Sequence, residues 1–283
     1  MEEDMGIHFT KMHGTGNDYV YVDLFKETIG NPSQLAVCVS DRHFGIGSDG
    51  LILVAPSDRA DCRMIMYNAD GSEGAMCGNG IRCVAKYAYE HGIVDASHIT
   101  VETKSGVKTL DLTVEDGVVT YVQVNMGKAV LRPSEIPVCA EGDTFVAQTI
   151  AVGGKEYEVT CVSMGNPHCV VFMDGIDTMD LTKTGPLFEN HPLFPDRINT
   201  EFVEVVDGHS IRMRVWERGS GETISCGTGT CAATVAAVLN GYCHRGEEIE
   251  VQIRGGKLYD TYKENGEVWM RGPAVTVFEG ELF

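Results

Sequence analysis

The chain repeats itself at a constant offset of 149 positions. Cys77, followed by Gly-Asn-Gly, corresponds to Cys226, followed by Gly-Thr-Gly, and Asn17 corresponds to Asn166. Over the 30 positions that begin at Arg63, eight residues are identical between the two halves, whereas average amino-acid usage gives roughly two. Duplication of half a chain, rather than the short period of a solenoid, predicts two domains of similar fold related by a pseudo-twofold axis.

The length of 283 residues allows two modest domains, each with its own core. We predict an N-terminal half over residues 1–127 and a C-terminal half over residues 128–274. The boundary is placed where Pro133 and Pro137 interrupt the strand pattern. The tail, from about residue 275 to residue 283, is expected to pair back onto the N-terminal half.

Each half is predicted to contain strands with a helix near its middle. After Gly80, apolar residues recur at the spacing of one helix face, and Gly92 is a natural stop. After Gly229, the run from Thr230 to Leu239 is almost wholly Ala, Val, Thr and Cys, which is typical of a helix buried on all sides. Short apolar or alternating segments predict the strands. These are residues 19–22, 51–54, 63–67, 99–124, 169–172, 201–205 and 211–216.

The charge and the cysteine pattern exclude several classes of function. The formal net charge of −19 repels phosphate backbones and anionic lipids, so neither nucleic acid nor a membrane surface is an expected partner. No apolar run approaches the roughly 18 residues of a membrane span, and the acidic start Met1–Asp4 has no signal core. A cytoplasmic protein is therefore expected. The ten cysteines show neither C-x-x-C nor zinc-finger spacing, so we expect no metal site and mostly buried thiols.

Two of the cysteines lie where chemistry is favoured. Cys77 and Cys226 each directly precede a glycine-rich turn into a predicted helix. The free N–H groups and the dipole at a helix start favour negative charge, and glycines let a carboxylate approach the backbone. Two such sites facing each other across a cleft between the halves would flank one carbon with a sulfur on each side. That arrangement suits inversion at a carbon, with one cysteine removing a proton and the other delivering one. The alternatives are a purely structural role and a redox pair.

Four segments resemble the signature of the diaminopimelate epimerase family, and the resemblance covers nearly the whole chain. They are the stretches 11–18, 68–82, 163–168 and 216–229. The resemblance implies an α/β (α+β) fold of two pseudo-symmetric, strand-rich, barrel-like domains, each around a central helix, with the active site in the cleft between them. It implies a cofactor-independent, two-base epimerase that interconverts LL- and meso-diaminopimelate on the route to lysine and peptidoglycan. Relatives are commonly homodimers.

The same resemblance assigns roles residue by residue. Cys77 and Cys226 correspond to the acid and base. His168 and Glu217 correspond to groups that tune the cysteines. Substrate-binding roles fall on Asn17, Asn68, Asn166, Asn199, Glu217 and Arg218, and on the carboxylate cradles Gly78-Asn79 and Gly227-Thr228.

The segment that ends in Asp49-Gly50 departs from the family pattern. Many relatives carry Gln at the last position and use it on the substrate, whereas Gly50 has no side chain to offer. Two other readings stay open. Racemases of proline or hydroxyproline share the two-cysteine logic but typically have His after the first Cys-Gly, where this chain has Asn79. A non-catalytic amino-acid-binding protein would need neither cysteine.

Overall fold

A computed structural model describes residues 6–283 and divides into two compact units. The N-terminal unit comprises the chain up to Val124 together with Gly272–Phe283, and the C-terminal unit comprises Asn125–Arg271. The boundary therefore lies three residues before the predicted one, and the final segment is assigned to the N-terminal unit. The acidic start Met1–Asp4 lies outside the described residues.

The N-terminal unit surrounds one helix with strands. Its elements are β1 (Ile7–Gly14), β2 (Asn17–Asp23), α1 (Pro32–Ser40), β3 (Gly50–Ala55), β4 (Cys62–Asn68), β5 (Glu73–Gly74), α2 (Gly78–Glu90), β6 (His98–Thr103), β7 (Gly106–Glu115), β8 (Val118–Lys128) and β18 (Val275–Leu282). β1 lies between β18 and β2, antiparallel to both, and β2 pairs in parallel with β3. β3 pairs antiparallel with β4, which pairs in parallel with β6, and β6, β7 and β8 follow as antiparallel neighbours.

The C-terminal unit has the same order of elements. They are β9 (Phe145–Val152), β10 (Lys155–Ser163), β11 (Pro167–Phe172), α3 (Leu181–Glu189), β12 (Asn199–Asp207), β13 (Ser210–Glu217), β14 (Gly221–Thr223), α4 (Gly227–Leu239), β15 (Glu248–Ile253), β16 (Gly256–Tyr262) and β17 (Glu267–Gly272). β9, β10 and β11 are antiparallel, β11–β12 and β13–β15 are the parallel pairs, and β15, β16 and β17 are antiparallel. Short 3₁₀ turns occupy Pro133–Glu135 and Ile176–Thr178.

The repeat in the sequence is a repeat in structure. Both ends of α1 and α3, and both ends of α2 and α4, differ by the same 149 positions. The parallel pair β2–β3 likewise corresponds to β11–β12. The prediction of an α/β fold with two strand-rich units of one topology is confirmed.

The helices α2 and α4 are the buried centres of their units. α4 packs against β10, β11, β12, β13, β15 and β16, and it buries even the hydroxyl-bearing Thr230 and Thr234. α2 contacts strands in the same way and buries Arg82 completely. The Arg82 guanidinium donates to the carbonyl oxygens of Gly78 and Pro273, each at 3.2 Å, and so ties the returning C-terminal segment to α2.

The central helix predicted in each half is present as α2 and α4, and each unit contains one further helix, α1 or α3, that the sequence analysis did not identify. α1 begins at Pro32, whose ring suits a first helical position, and Asn31 caps it by accepting from the Gln34 N–H. α3 contains Gly185 and Pro186, which mask a helical pattern in sequence. Gly185 is required there, because a Cβ at this position would overlap the Trp216 ring. No helix within residues 6–283 is long and apolar enough to cross a membrane.

Candidate active site

Cys77 is the N-cap residue of α2. Its backbone is extended, with φ −129° and ψ 120°, and its sulfur accepts a hydrogen bond from the Gly80 N–H at 3.4 Å. The N–H groups of a first helical turn have no acceptor within the helix, so they point toward this sulfur and the space beside it. Gly80 admits the close packing of Ile52 and Met64, whose side-chain ends lie within about 3 Å of where a Cβ would stand.

The side chain of Asn17, at the start of β2, contacts the same sulfur. The Cys77 thiol donates to Asn17 Oδ1 at 3.1 Å. Asn17 Nδ2 in turn donates to Asp49 Oδ2 at 2.7 Å, and the Asp18 N–H donates to the same oxygen at 3.1 Å. Two predicted site residues, Cys77 and Asn17, are thus brought together, and Asp49 joins them.

The environment of Cys77 acts on its pKa in two directions. Burial raises the pKa of the Cys77 thiol, and this effect is the largest. Hydrogen bonds from the backbone of Gly80 and Asn79 and from the Tyr19 hydroxyl, together with the charge of Arg82, lower it in part. Burial also raises the pKa of Tyr19 far above its ordinary value, so its hydroxyl remains protonated.

An ion-pair cluster, which the sequence analysis did not identify, supports this side of the site. Lys11 and Arg42 both bind Asp18, at 2.5 and 2.9 Å, and Arg42 also binds Asp49 at 3.0 Å. Lys11 additionally donates to the Gly47 carbonyl oxygen. The cluster holds the loop before β3 against β1 and β2, and it places Asp49 beside Asn17. In agreement, Arg42 and Lys11 lower the pKa of Asp18 below its ordinary value despite burial.

Asn79 and Asn68 occupy different surroundings in the N-terminal unit. Asn79 is buried in the first turn of α2, where the Thr15 hydroxyl lies 3.4 Å from its Oδ1 and a Cβ at Gly14 would stand 2.9 Å from its carbonyl oxygen. Asn68 ends β4 and donates to Ser72 Oγ at 3.0 Å, in a turn that precedes α2. This side-chain hydrogen bond lies within the turn and does not involve Cys77.

Cys226 is the N-cap residue of α4, with nearly the same backbone conformation as Cys77. Its φ is −129° and its ψ is 103°. Its sulfur is buried and lies 3.6 Å from Thr228 Oγ1. Asn166, the counterpart of Asn17, donates from Nδ2 to Thr228 Oγ1 at 3.2 Å. The equivalent asparagines therefore differ, because one contacts its sulfur directly and the other acts through a threonine hydroxyl.

His168 and Glu201 lie behind Asn166 and are both fully buried. His168 Nε2 lies 3.1 Å from Asn166 Oδ1, and His168 Nδ1 lies 2.7 Å from Glu201 Oε1. The sequence analysis identified His168 but missed Glu201. A Cβ at Gly229 would stand 2.8 Å from Glu201 Oε1, so glycine at this position admits the carboxylate next to α4.

Burial and two carboxylates raise the pKa of Cys226 well above its ordinary value. Burial is the largest cause, followed by the charges of Glu217 and Glu201, while Thr228 and the backbone of Gly229 oppose it in part. The two cysteines thus have opposite electrostatic surroundings, since a cation favours the thiolate of Cys77 and carboxylates favour the thiol of Cys226.

The remaining predicted residues of the C-terminal unit form a second group. Asn199 donates to the Pro167 carbonyl oxygen at 2.8 Å and accepts from the Arg218 backbone N–H at 2.9 Å. The Arg218 guanidinium donates to the Asp196 carbonyl oxygen at 2.8 Å, and Glu217 accepts from Thr223 at 2.5 Å. The placement of this group and of Cys226 relative to the Cys77 group remains a prediction.

Gly50 offers neither a side chain nor space for one. It opens β3 opposite Asn68, and a Cβ there would overlap the Tyr67 carbonyl oxygen and stand 2.9 Å from the Tyr19 ring. A glutamine at this position would require the backbone to shift. Among residues 6–283, no group of three or more His, Cys, Asp or Glu side chains is arranged to hold a metal ion.

Solved structures define the class of this fold. A hydroxyproline epimerase from Agrobacterium vitis, solved with trans-4-hydroxy-L-proline bound, matches with a TM-score of 0.69 at 15% identity, over 100% of this chain and 94% of its own. A PhzF-family phenazine biosynthesis protein from Bacillus anthracis matches with a TM-score of 0.69 at 17% identity, over 98% and 99%. The protein therefore has the fold of these duplicated α/β proteins.

Sequence relatives define the family within that class. The family model described as diaminopimelate epimerase matches residues 9–132 and 160–277. Relatives named diaminopimelate epimerase are 55% identical in Acetivibrio thermocellus and 56% identical in Desulfovibrio desulfuricans. The first comparison covers 98% of both chains and the second 99% of both. The chain belongs to the diaminopimelate epimerase family.

Proposed function

We propose that the protein is a cofactor-independent epimerase that interconverts LL-2,6-diaminopimelate and meso-diaminopimelate in the formation of lysine and peptidoglycan precursors. Cys77 and Cys226 form its acid and base pair. The observation that carries the proposal is the duplicated cysteine cap, in which each unit places one cysteine at the start of its buried helix. A protein that only bound amino acids would need neither sulfur.

In the proposed reaction one thiolate takes the α-proton, so that the C–H bond breaks and an S–H bond forms. The electron pair stays on the substrate as a carbanion stabilised through its carboxylate. The other thiol then gives its proton to the opposite face, which inverts the carbon and leaves the two cysteines with exchanged roles. The N–H groups of the first helical turns, at Gly78-Asn79 and Gly227-Thr228, are suited to hold the carboxylate while negative charge develops.

The polar side chains fit a substrate with two amino-acid ends. Asn17 and Asn166 serve the reacting end, beside their cysteines. Asn68, Asn199, Glu217 and the guanidinium of Arg218 serve the ammonium and carboxylate groups, because asparagine both donates and accepts and arginine binds a carboxylate with two donors. His168 and Glu217 tune Cys226.

The alternative function is a racemase of proline or hydroxyproline. The observation that favours it is the fold shared with a hydroxyproline epimerase. Asn79, in place of the histidine typical of those enzymes, and the large set of distal polar groups favour diaminopimelate. Assays with LL-diaminopimelate, L-proline and trans-4-hydroxy-L-proline separate the two, since only the first is expected to turn over.

Turnover in D₂O tests the two-base chemistry. Early in the reaction, deuterium is expected at one α-carbon of the product and not in recovered substrate, because the abstracted proton stays on one sulfur while the other delivers deuterium. Cys77→Ser and Cys226→Ser are each expected to lower kcat by at least a thousandfold while the fold is kept. Absence of exchange with either stereoisomer, or full activity of either variant, contradicts the proposal.

We also propose that the enzyme is a cytoplasmic homodimer, as the family resemblance implies. The strand β18 supports an association, because Val277 is 53% exposed and Phe278 46% exposed on it. Sedimentation equilibrium is expected to give twice the 30.8 kDa chain mass, and a purely monomeric species contradicts the dimer.

A further inference from the structure

Asp49 fixes the orientation of the Asn17 amide. A carboxylate only accepts hydrogen bonds, and Asp49 Oδ2 lies 2.7 Å from the Asn17 side-chain nitrogen. The same oxygen accepts from the Asp18 backbone N–H at 3.1 Å, and Arg42 binds the other oxygen at 3.0 Å. Asn17 therefore turns Nδ2 toward Asp49 and presents its carbonyl oxygen to Cys77.

The orientation of Asn17 determines which form of Cys77 is favoured. Oδ1 only accepts, and it lies 3.1 Å from the sulfur. A protonated Cys77 donates to this oxygen, whereas a thiolate would face it with like partial charge. If the amide turned over, Nδ2 would donate to the sulfur and favour the thiolate instead.

Other groups that face Cys77 do not replace this contact. Tyr19 and Tyr21 come from β2, and Arg82 and Cys83 come from α2. Arg82 and Tyr19 favour the thiolate, and burial opposes it. Among the described contacts, Asn17 is the acceptor for the Cys77 thiol, and the Asp49 carboxylate sets its direction.

We propose that Asp49 is a positioning residue for Cys77: by locking the Asn17 amide, it holds Cys77 as a hydrogen-bond donor in the substrate-free enzyme. The inference rests on the proposed acid–base role of Cys77, and it adds one contact that favours the Cys77 thiol, against the effect of Arg82, in the substrate-free enzyme. Sequence reasoning did not identify Asp49, whose counterpart in the C-terminal unit is Ile198.

The test is the rate of iodoacetamide alkylation at Cys77 as a function of pH, measured by peptide mass spectrometry on the free enzyme. Asp49→Leu removes the acceptor, so Asn17 is free to turn and the rate at neutral pH is expected to rise about tenfold, equivalent to one pH unit in the midpoint. Asp49→Ala serves as a second variant if the leucine does not fold.

Two control variants separate positioning from other effects. Asp49→Asn removes the charge but keeps an acceptor oxygen, because the Asp18 N–H still requires one, and its rate is expected to stay within twofold of wild type. Asp41→Leu loosens the same loop, whose His43 and Phe44 N–H groups it caps at 2.7 and 2.8 Å, without contacting Asn17. Its rate is also expected to be unchanged.

The proposal is overturned if Asp49→Leu and Asp49→Ala alkylate no faster than wild type, or if Asp49→Asn or Asp41→Leu accelerates as much as they do. The exposed Cys38 and Cys139 provide reference rates in each sample. Alkylation requires no turnover, so the two experiments are independent. An unchanged alkylation rate would not affect the D₂O experiment, and an absence of epimerisation would not affect the alkylation result.

Discussion

His168 and Glu201 form a completely buried pair, with His168 Nδ1 at 2.7 Å from Glu201 Oε1. Both are fully enclosed, and Glu201 Oε2 has no hydrogen-bond partner among the described residues. Burial raises the pKa of Glu201, and the proximity of His168 opposes that rise. Removing one partner of a buried pair leaves the other without compensation and lowers the free energy of unfolding.

Glu201→Leu is therefore expected to lower the free energy of unfolding by about 2–4 kcal/mol, since His168 Nδ1 loses its acceptor. Glu204→Leu is the matched control on the same strand. Glu204 is partly exposed and pairs with Arg212 at 2.9 Å, so its loss is expected to cost less than about 1 kcal/mol. Urea unfolding measures the free energy of unfolding of both variants. Equal losses would show that the buried pair stabilises the fold no more than the exposed pair does.

Arg82→Met is expected to affect both stability and Cys77. The carbonyl oxygens of Gly78 and Pro273 lose their donor, which costs about 2–4 kcal/mol, and loss of the cation raises the pKa of Cys77. The alkylation midpoint of Cys77 should move to higher pH. Lys86→Met, one turn further along α2, removes contacts to Glu90 and Val119 and should destabilise without moving that midpoint. A shift of equal size in both variants contradicts the assignment.

Gly229→Ala is expected to reduce activity at least tenfold more than Gly80→Ala. The two glycines are equivalent in the repeat, but an added Cβ meets different neighbours. At Gly80 the nearest atoms are the flexible ends of Ile52 and Met64, whereas at Gly229 they are the Glu201 carboxylate and the Cys226 sulfur. Steady-state kcat and KM measure the difference, and comparable losses would indicate that Glu201 moves aside freely.

Glu217→Gln is expected to accelerate alkylation of Cys226 near pH 8 by roughly three- to tenfold. Glu217 is the largest charge that raises the pKa of this thiol, so its removal allows thiolate to form at lower pH. Glu222→Gln is the control in the same hairpin, because Glu222 binds Arg214 and Arg254 instead. An unchanged or slower rate in Glu217→Gln would show that the carboxylate is not coupled to the sulfur.

The enzyme is expected to lose stability at alkaline pH through its buried thiols. Burial raises the pKa of Cys62 to about 12 and those of Cys83 and Cys243 to about 11. The unfolded thiols titrate near 8.5, so the stabilisation is complete below that pH and declines through the folded values. Each thiol contributes a slope of about 1.4 kcal/mol per pH unit in this window. Cys62→Ala should reduce the slope of stability against pH by the contribution of one thiol. Cys38→Ala, at an exposed position, should leave that slope unchanged.

The sequence was a good guide to the fold where the repeat and the apolar pattern agreed. The segment predicted as strand over residues 99–124 is divided into β6, β7 and β8 by turns at Gly106 and Gly117, both of which have positive φ. α1 and α3 escaped prediction because each has only nine residues. In α3, tertiary packing of Trp216 on Gly185 outweighs the poor helix propensity of Gly and Pro.

The same repeat concealed part of the site. The pairs Cys77–Cys226 and Asn17–Asn166 could be identified because both halves keep the residue type. Tyr19 corresponds to His168, Asp49 to Ile198 and Glu201 to Ile52, so comparison of the halves gives no sign of these roles. Such residues act where the two units differ chemically, and only the three-dimensional contacts reveal them.

The attachment of β18 to β1 reverses the order in which the two units can be completed during synthesis. Every strand from β9 to β16 belongs to one continuous stretch, Asn125–Arg271, which leaves the ribosome before the tail does. The N-terminal unit, although translated first, waits for Val275–Leu282 to cover the edge of β1, where Phe9 packs against Phe278 with ring centroids 5.9 Å apart. The unit that contains Cys77 is therefore expected to be completed last, and β1 offers an open edge to other nascent chains until then.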